Sequence, residues 1–250
     1  MSVAAGLAPL AASQSAQNPP AAQATAPLPS AKQVVDKFVE AMGGAVAFKG
    51  VTSMYARGTF TITGQNMSGE VEMMAARPNK LLTRITVSAI GLIEEGYDGK
   101  VGWSNDPFRG PAIVTGRGLD ERADESWFDA PLHGADFIKE MTVVGREEFD
   151  KRQVYRLKTV SNRGVETFEL FDVDTGLQAG SEAVRETPFG NVPTTTFMRD
   201  SQRFGPLKFP STVVARVLGQ EQIVTFRTYS FNSVPPSAFD LPAPIKALIK

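Results

Sequence analysis

Residues 54–63 read MYARGTFTIT, and they decide the fold because small or apolar residues alternate there with polar ones. Side chains of a β-strand point alternately to its two faces, so a period of two predicts a strand with one apolar face. The alternation returns in 67–73 (MSGEVEM) and 81–89 (LLTRITVSA), and the turn sequence GQN at 64–66 separates the first two stretches. Short connections of this kind join antiparallel neighbours, so we predict a sequential antiparallel sheet.

Further strand candidates extend this sheet over most of the chain, with turn residues between them. A sheet of roughly a dozen strands does not stay flat but curls or splits into two layers. Two outcomes remain open: the sheet closes around a packed interior, or it curls around a few short helices and leaves an apolar cavity. The predicted fold class is mainly β (α+β) in either case. The further candidates are 141–145, 154–160, 165–171, 177–184, 194–198, 208–217 and 222–231.

One clear helix opens the folded region. Ser30 suits an N-cap, and Gln33 occupies the position that completes a capping box. Apolar residues at helical spacing from Val34 to Met42 form one stripe that predicts a buried face. Gly43-Gly44 then accepts the left-handed conformation in which helices end.

The strand pattern is interrupted after residue 104. The stretch 105–111 (NDPFRGP) is expected to be a loop, and 119–128 is expected to form a second helix. At the C-terminal end, we expect 245–249 to pack back onto the sheet as a short helix.

The N-terminal residues 1–29 differ from the rest in composition. No charged residue precedes Lys32, an apolar run covers 3–12, and 18–29 is rich in proline and alanine. This pattern predicts a signal-peptide-like segment followed by a disordered linker, and hence a periplasmic or secreted protein. A plain disordered tail is the alternative, because the basic start of a signal peptide is missing. Residues 30–250 are then expected to form a single domain.

Composition limits the chemistry that this chain offers. The net charge is −1 and cysteine is absent, so we expect no nucleic-acid partner, disulfide or thiolate metal site. The one histidine, His133, is a weak candidate base, for which a surface or structural role is the simpler interpretation. We therefore expect a binding protein with no catalytic residue, no metal and no cofactor. A carboxylate-based hydrolase is the remaining enzymatic alternative.

Several passages in order along the chain resemble the LolA-like group, the periplasmic outer-membrane lipoprotein-sorting proteins and their relatives. The resemblance runs across most of residues 30–242, but this chain is longer than the carrier and has an extra loop at 105–118. The passages are a helix ending in Gly-Gly (34–44), RGTF (57–60), GYDGKVGW (96–103), VVGREEFDKRQVYRL (143–157), FDVDTGL (171–177), GPLKFP (205–210) and FDLP (239–242).

The resemblance implies an incomplete β-barrel whose short helices cover an apolar cavity. It also implies a carrier of a hydrophobic ligand, either a lipid or the acyl chain of a lipoprotein. The alternative within the same group is an envelope-stress sensor or scaffold that contacts a membrane protein of the envelope. The resemblance identifies no individual binding residue.

Strand alternation alone proposes the residues that line such a cavity. It places them on the same side of three neighbouring strands, where methionine adapts to ligands of varied shape. A plain core role is the alternative for the methionines. The candidates are Met54, Phe60, Ile62, Met73, Ile85 and Val87.

Overall fold

A computed structural model describes residues 27–65, 67–187 and 190–249. Most of the signal-like segment and linker expected at 1–29 lies outside the described residues. Thirteen antiparallel strands form one unclosed sheet, which confirms the predicted mainly β fold and its open barrel. The strands are β1 Ser53–Ile62, β2 Met67–Ala76, β3 Lys80–Val87, β4 Gly91–Tyr97, β5 Gly102–Asp106, β6 Gly110–Val114, β7 Ile138–Phe149, β8 Arg152–Ser161, β9 Glu166–Asp172, β10 Gln178–Thr187, β11 Gly190–Phe204, β12 Leu207–Val217 and β13 Gln220–Phe231.

The sheet consists of two arms that meet at one seam. Its strand order is β6-β5-β4-β3-β2-β1-β13-β12-β11-β10-β9-β8-β7, so the first arm is β1–β6 and the second is β7–β13. At the seam β1 pairs with β13, with Met54 opposite Phe231 and Ile62 opposite Gln222. The short strand β6 and the long strand β7 are the two edges.

Four helices accompany the sheet among the described residues, with 3-10 turns at Ala130–Leu132 and Pro236–Phe239. None of them is long and apolar enough to cross a membrane. The helices are α1 Ala31–Met42, α2 Ala45–Lys49, α3 Gly116–Glu125 and α4 Ala243–Lys246.

Helix α1 lies against the concave face of the sheet. Its predicted start is confirmed, because Ser30 and Gln33 form both halves of the capping box. The buried stripe of α1 includes Phe38 and Met42, which pack in one core cluster with Leu157 and Leu207. The helix thus ties the concave side of β8 to that of β12.

A segment between the two edge strands crosses the open side of the barrel. We call residues 115–137, which contain α3, the cover segment. The predicted second helix is shifted, since α3 begins at Gly116 rather than Leu119 and ends at Glu125 rather than Phe128. Burial of aromatic rings explains the early end, because Trp127 stacks on Phe137 and Phe128 packs against Phe48.

The loop predicted at 105–111 is shorter than expected, because only 107–109 form a turn. The residues at both ends of this stretch pair in the hairpin β5–β6, with Asn105 opposite Pro111. Proline lacks the N–H that a central strand needs, but it is tolerated on an edge strand such as β6. Pro111 was therefore a poor indicator of a loop, whereas Pro107 does lie in the turn.

The C-terminal tail covers the convex face of the first arm. Phe239 and Ile245 form a cluster there with Met74, Leu82 and Trp103. The tail therefore packs back as expected. Its helix α4 ends at Lys246, three residues before the end of the predicted helix at 245–249. The concave face is left to α1 and the cover segment.

Candidate ligand-binding cavity

Two adjacent apolar cavities lie between the concave face and the helices that cover it. The smaller has a volume of about 230 Å³ and the larger about 350 Å³. Four residues line both of them, namely Met54, Met73, Pro131 and Phe209. Cavities of this kind are typical of sites for small apolar ligands.

The smaller cavity lies mainly under the first arm. Strand residues such as Ala75 and Leu81 form its floor, and Phe48 forms one wall. Trp127 and Phe128 of the cover segment close it from the other side. The cover segment therefore forms one wall of this cavity.

The larger cavity is lined by methionines and aromatic rings. Four of the eight methionines of the chain are there: Met42, Met54, Met73 and Met198. Unbranched, polarisable side chains of this type adapt to irregular apolar guests. The aromatic part consists of Phe38, Phe209, Phe226 and Tyr229.

Tyr229 is the centre of the aromatic group. Its ring lies 5.3 Å from both Phe209 and Phe226, and its hydroxyl donates to the carbonyl of Pro210 at 3.3 Å. Burial raises the pKa of Tyr229 well above the usual tyrosine value, because the interior disfavours the charged phenolate. The phenol is therefore neutral and adds no charge to the cavity wall.

The structure brings the predicted ligand residues onto one face but separates them along the strands. Met54 and Met73 line both cavities, whereas the other four line neither. Phe60, Ile62 and Ile85 pack instead with Val71 and Phe226 in a cluster beside the cavities. Their role in ligand binding stays a prediction. The fourth of these residues, Val87, is buried at the end of β3.

Sequence reasoning missed most of the lining. Phe209, Phe226 and Tyr229 belong to the last two strands, which reach the cavities only because β13 pairs with β1. A bulge in β13 also breaks the alternation between Phe226 and Tyr229, since Arg57 pairs with Thr228 but Gly58 pairs with Phe226. Only the concentration of aromatic residues near the end of the chain could have indicated them.

Arg77 anchors the cover segment at Phe128 and Asp129. Its guanidinium donates to both carboxylate oxygens of Asp129, to the carbonyl of Val51 at 2.8 Å and to the carbonyl of Phe48 at 3.1 Å. It also lies over the ring of Phe128, 5.0 Å from the centroid. This one side chain therefore joins the first arm, α2 and the cover segment.

His133 anchors the cover segment a second time, four residues after Asp129. Its Nε2 lies 2.6 Å from a carboxylate oxygen of Glu169 on β9, and its Nδ1 lies 3.1 Å from the carbonyl of Pro131. Both partners are acceptors, so the geometry suits the doubly protonated imidazolium. Burial opposes that charge, but Glu169 and the Pro131 carbonyl outweigh it and raise the pKa of His133 above its usual value. His133 thus has a structural position, and it is buried rather than on the surface.

We expect this ion pair to make the stability of the protein depend on pH. A raised pKa in the folded state contributes stability that is complete below the usual histidine pKa of about 6.5. That contribution is lost as the pH rises through the folded-state pKa. Urea unfolding of the native chain and of His133→Gln over this pH window should show a difference that shrinks as the pH rises. Two curves that stay parallel would contradict the assignment.

Comparison with solved structures shows the same architecture in other proteins. A LolA superfamily protein from Nitrosomonas europaea matches with a TM-score of 0.58 at 11% identity, over 86% of this chain and 99% of that one. A DUF1329 family protein from Desulfovibrio piger matches with a TM-score of 0.55 at 12% identity, over 84% and 96%. A structure described as an outer membrane lipoprotein-sorting protein domain, from Vibrio parahaemolyticus, matches with a TM-score of 0.52 at 11% identity, over 82% and 97%.

Comparisons at the level of sequence add nothing to this. No protein-family model matches the chain, and no curated protein matches it. Identities of this size show a shared fold and leave the function open. The open barrel of this chain matches the architecture of the three solved structures, so the chain has a LolA-like fold.

Proposed function

We propose that this protein is a periplasmic carrier that binds a lipid or the acyl chain of a lipoprotein without chemical change. The observation that carries the proposal is the pair of adjacent apolar cavities between the sheet and the cover segment. Sorting of lipoproteins, named for the Vibrio parahaemolyticus domain, is in keeping with an acyl chain as the guest.

The lining of the larger cavity supports binding rather than catalysis. Its titratable side chains are Lys208 and Tyr229. The raised pKa of Tyr229 makes the phenol a poor general base near neutral pH. A lining with so few titratable groups suits an apolar guest better than acid–base catalysis.

Thermal unfolding with an added amphiphile tests the proposal. A ligand that binds only the folded state stabilises it by about 2.7 kcal/mol at a hundred times its Kd. For a domain of this size that corresponds to a rise in Tm of roughly 5–10 °C. A long-chain fatty acid or a lysophospholipid, supplied below its micelle concentration, should produce such a rise.

Variants of the lining give this experiment its specificity. Met73→Asp places a carboxylate between the two cavities, so it should abolish the Tm rise and lower the intrinsic Tm. Val213→Phe, which fills the larger cavity without adding a charge, should reduce the rise as well. Thr86→Asp is the control, because Thr86 is exposed and alternates with the concave residues of β3. If neither the fatty acid nor the lysophospholipid raises the Tm, the result would favour a scaffold over a carrier.

A further inference from the structure

Lys208 differs from the other half-buried basic residues of the described chain in having no side-chain partner. Ten lysines and arginines of the described chain are half-buried, and nine of them have an ion pair or a ring contact with another side chain. Lys208 is the tenth, and it lines the larger cavity. Removing a cation from water without a counter-charge is unfavourable, so its position calls for an explanation.

The cross-strand neighbour of Lys208 increases this cost. Arg203 on β11 lies directly opposite Lys208 on β12. Like charges at directly opposite positions destabilise a sheet. The guanidinium of Arg203 donates to the carbonyl of Pro206 at 3.3 Å and has no carboxylate partner among the described residues. Two cations thus lie side by side with no acid to compensate them.

Two uncharged polar residues also line the larger cavity, from the two strands that follow β12 in the sheet order. Ser201 on β11 and Gln178 on β10 line it together with Lys208, while most of the remaining lining is apolar. The amide of Gln178 makes only a long contact of 3.4 Å, to the carbonyl of Gly180. Hydroxyl and amide groups can donate to an oxyanion, as can an ammonium group.

We propose that Lys208, with Ser201 and Gln178, binds the anionic head group of an amphiphile whose apolar chain occupies the larger cavity. The proposal rests on the proposed function, since it assigns the head group of the same ligand. The required chemistry is an oxyanion at the end of an apolar chain. A fatty-acid carboxylate and a lipid phosphate both provide it.

Binding of four probes tests the proposal and separates these two sources. The probes are a long-chain fatty acid, its methyl ester, an alkyl phosphate of the same chain length and inorganic phosphate. The native protein should bind the fatty acid or the alkyl phosphate about tenfold more tightly than the ester, because a charge-assisted hydrogen bond is lost in the ester. The tighter of the two anions identifies the head group.

Lys208→Gln should weaken binding of the anion about tenfold and change binding of the ester much less. Lys139→Gln is the matched control, because Lys139 is exposed on β7 and does not line the cavity. Added salt should weaken binding of the anion to the native protein more than binding of the ester.

The outcomes distinguish the two proposals. Equal binding of anion and ester, unchanged in Lys208→Gln, would overturn the head-group assignment and leave the carrier standing. Inorganic phosphate that binds as tightly as the alkyl phosphate would also overturn it, because the site would then recognise an anion without a chain. Failure of both the anions and the ester to bind would overturn the carrier and the head-group assignment together.

Discussion

Replacing Gly58 with valine is expected to destabilise the protein by about 3 kcal/mol or more, in the upper range for a single substitution. A Cβ atom at this position would lie 2.1 Å from the carbonyl oxygen of Thr225 and 2.8 Å from the Cα of Phe226. Both contacts are with backbone, which cannot move aside as a flexible side chain does. The seam between β1 and β13 would have to separate, with loss of its hydrogen bonds.

Equilibrium unfolding in urea measures this effect. Gly145→Val is the matched control, because Gly145 also adjoins a register shift but a Cβ atom added there would have no heavy atom within 4 Å. We expect that variant to change the free energy of unfolding by about 0.5 kcal/mol or less. If both variants lose a similar amount of unfolding free energy, the close approach of β1 and β13 at Gly58 would not be the cause of the destabilisation.

Replacing Arg77 with alanine is the second change with a large expected effect. The substitution leaves Asp129 without its partner, frees the carbonyls of Val51 and Phe48, and exposes the ring of Phe128. The side chains of Arg77 and Asp129 are 24% and 30% exposed, so solvent replaces part of what is lost. We expect the free energy of unfolding to fall by about 2–4 kcal/mol, somewhat less than the loss for breaking a fully buried ion pair.

The loss should be concentrated in the cover segment. Amide hydrogen exchange around Phe128 should accelerate more than exchange in the central strands. Arg57→Ala is the control, since its ion pair with Glu70 is more than half exposed and should contribute at most about 1 kcal/mol. Unchanged exchange in the cover segment of Arg77→Ala would contradict its role as an anchor.

Local sequence patterns predicted those parts of the structure that depend on neighbouring residues. The capping box of α1 needs only Ser30 and Gln33, and the sheet face of Met54 and Met73 follows from alternation. Alternation specifies which face a side chain is on, but it contains no information about which stretch of the face the helices leave uncovered. For that reason Phe60 and Ile85 were placed on the correct face without lining a cavity.

The remaining part of the site depends on contacts between distant segments. Phe226, Tyr229 and Lys208 enter the site through the pairing of the last strands with the first one. The missing partner of Lys208 is likewise a property of the assembled sheet and has no signature in the local sequence. The fixed position of the cover segment depends on Arg77 and His133, whose partners lie far away along the chain.

The strand order has a consequence for the kinetics of folding. Each arm is a series of hairpins between consecutive strands, so its contacts form over short loops. The seam instead joins β1 to β13, which requires closure of a loop that contains nearly the whole folded chain. Closure of long loops costs entropy before any contact compensates it, and such contacts slow folding. We therefore expect the two arms to form early and independently, and pairing at the seam to be the late, rate-limiting event.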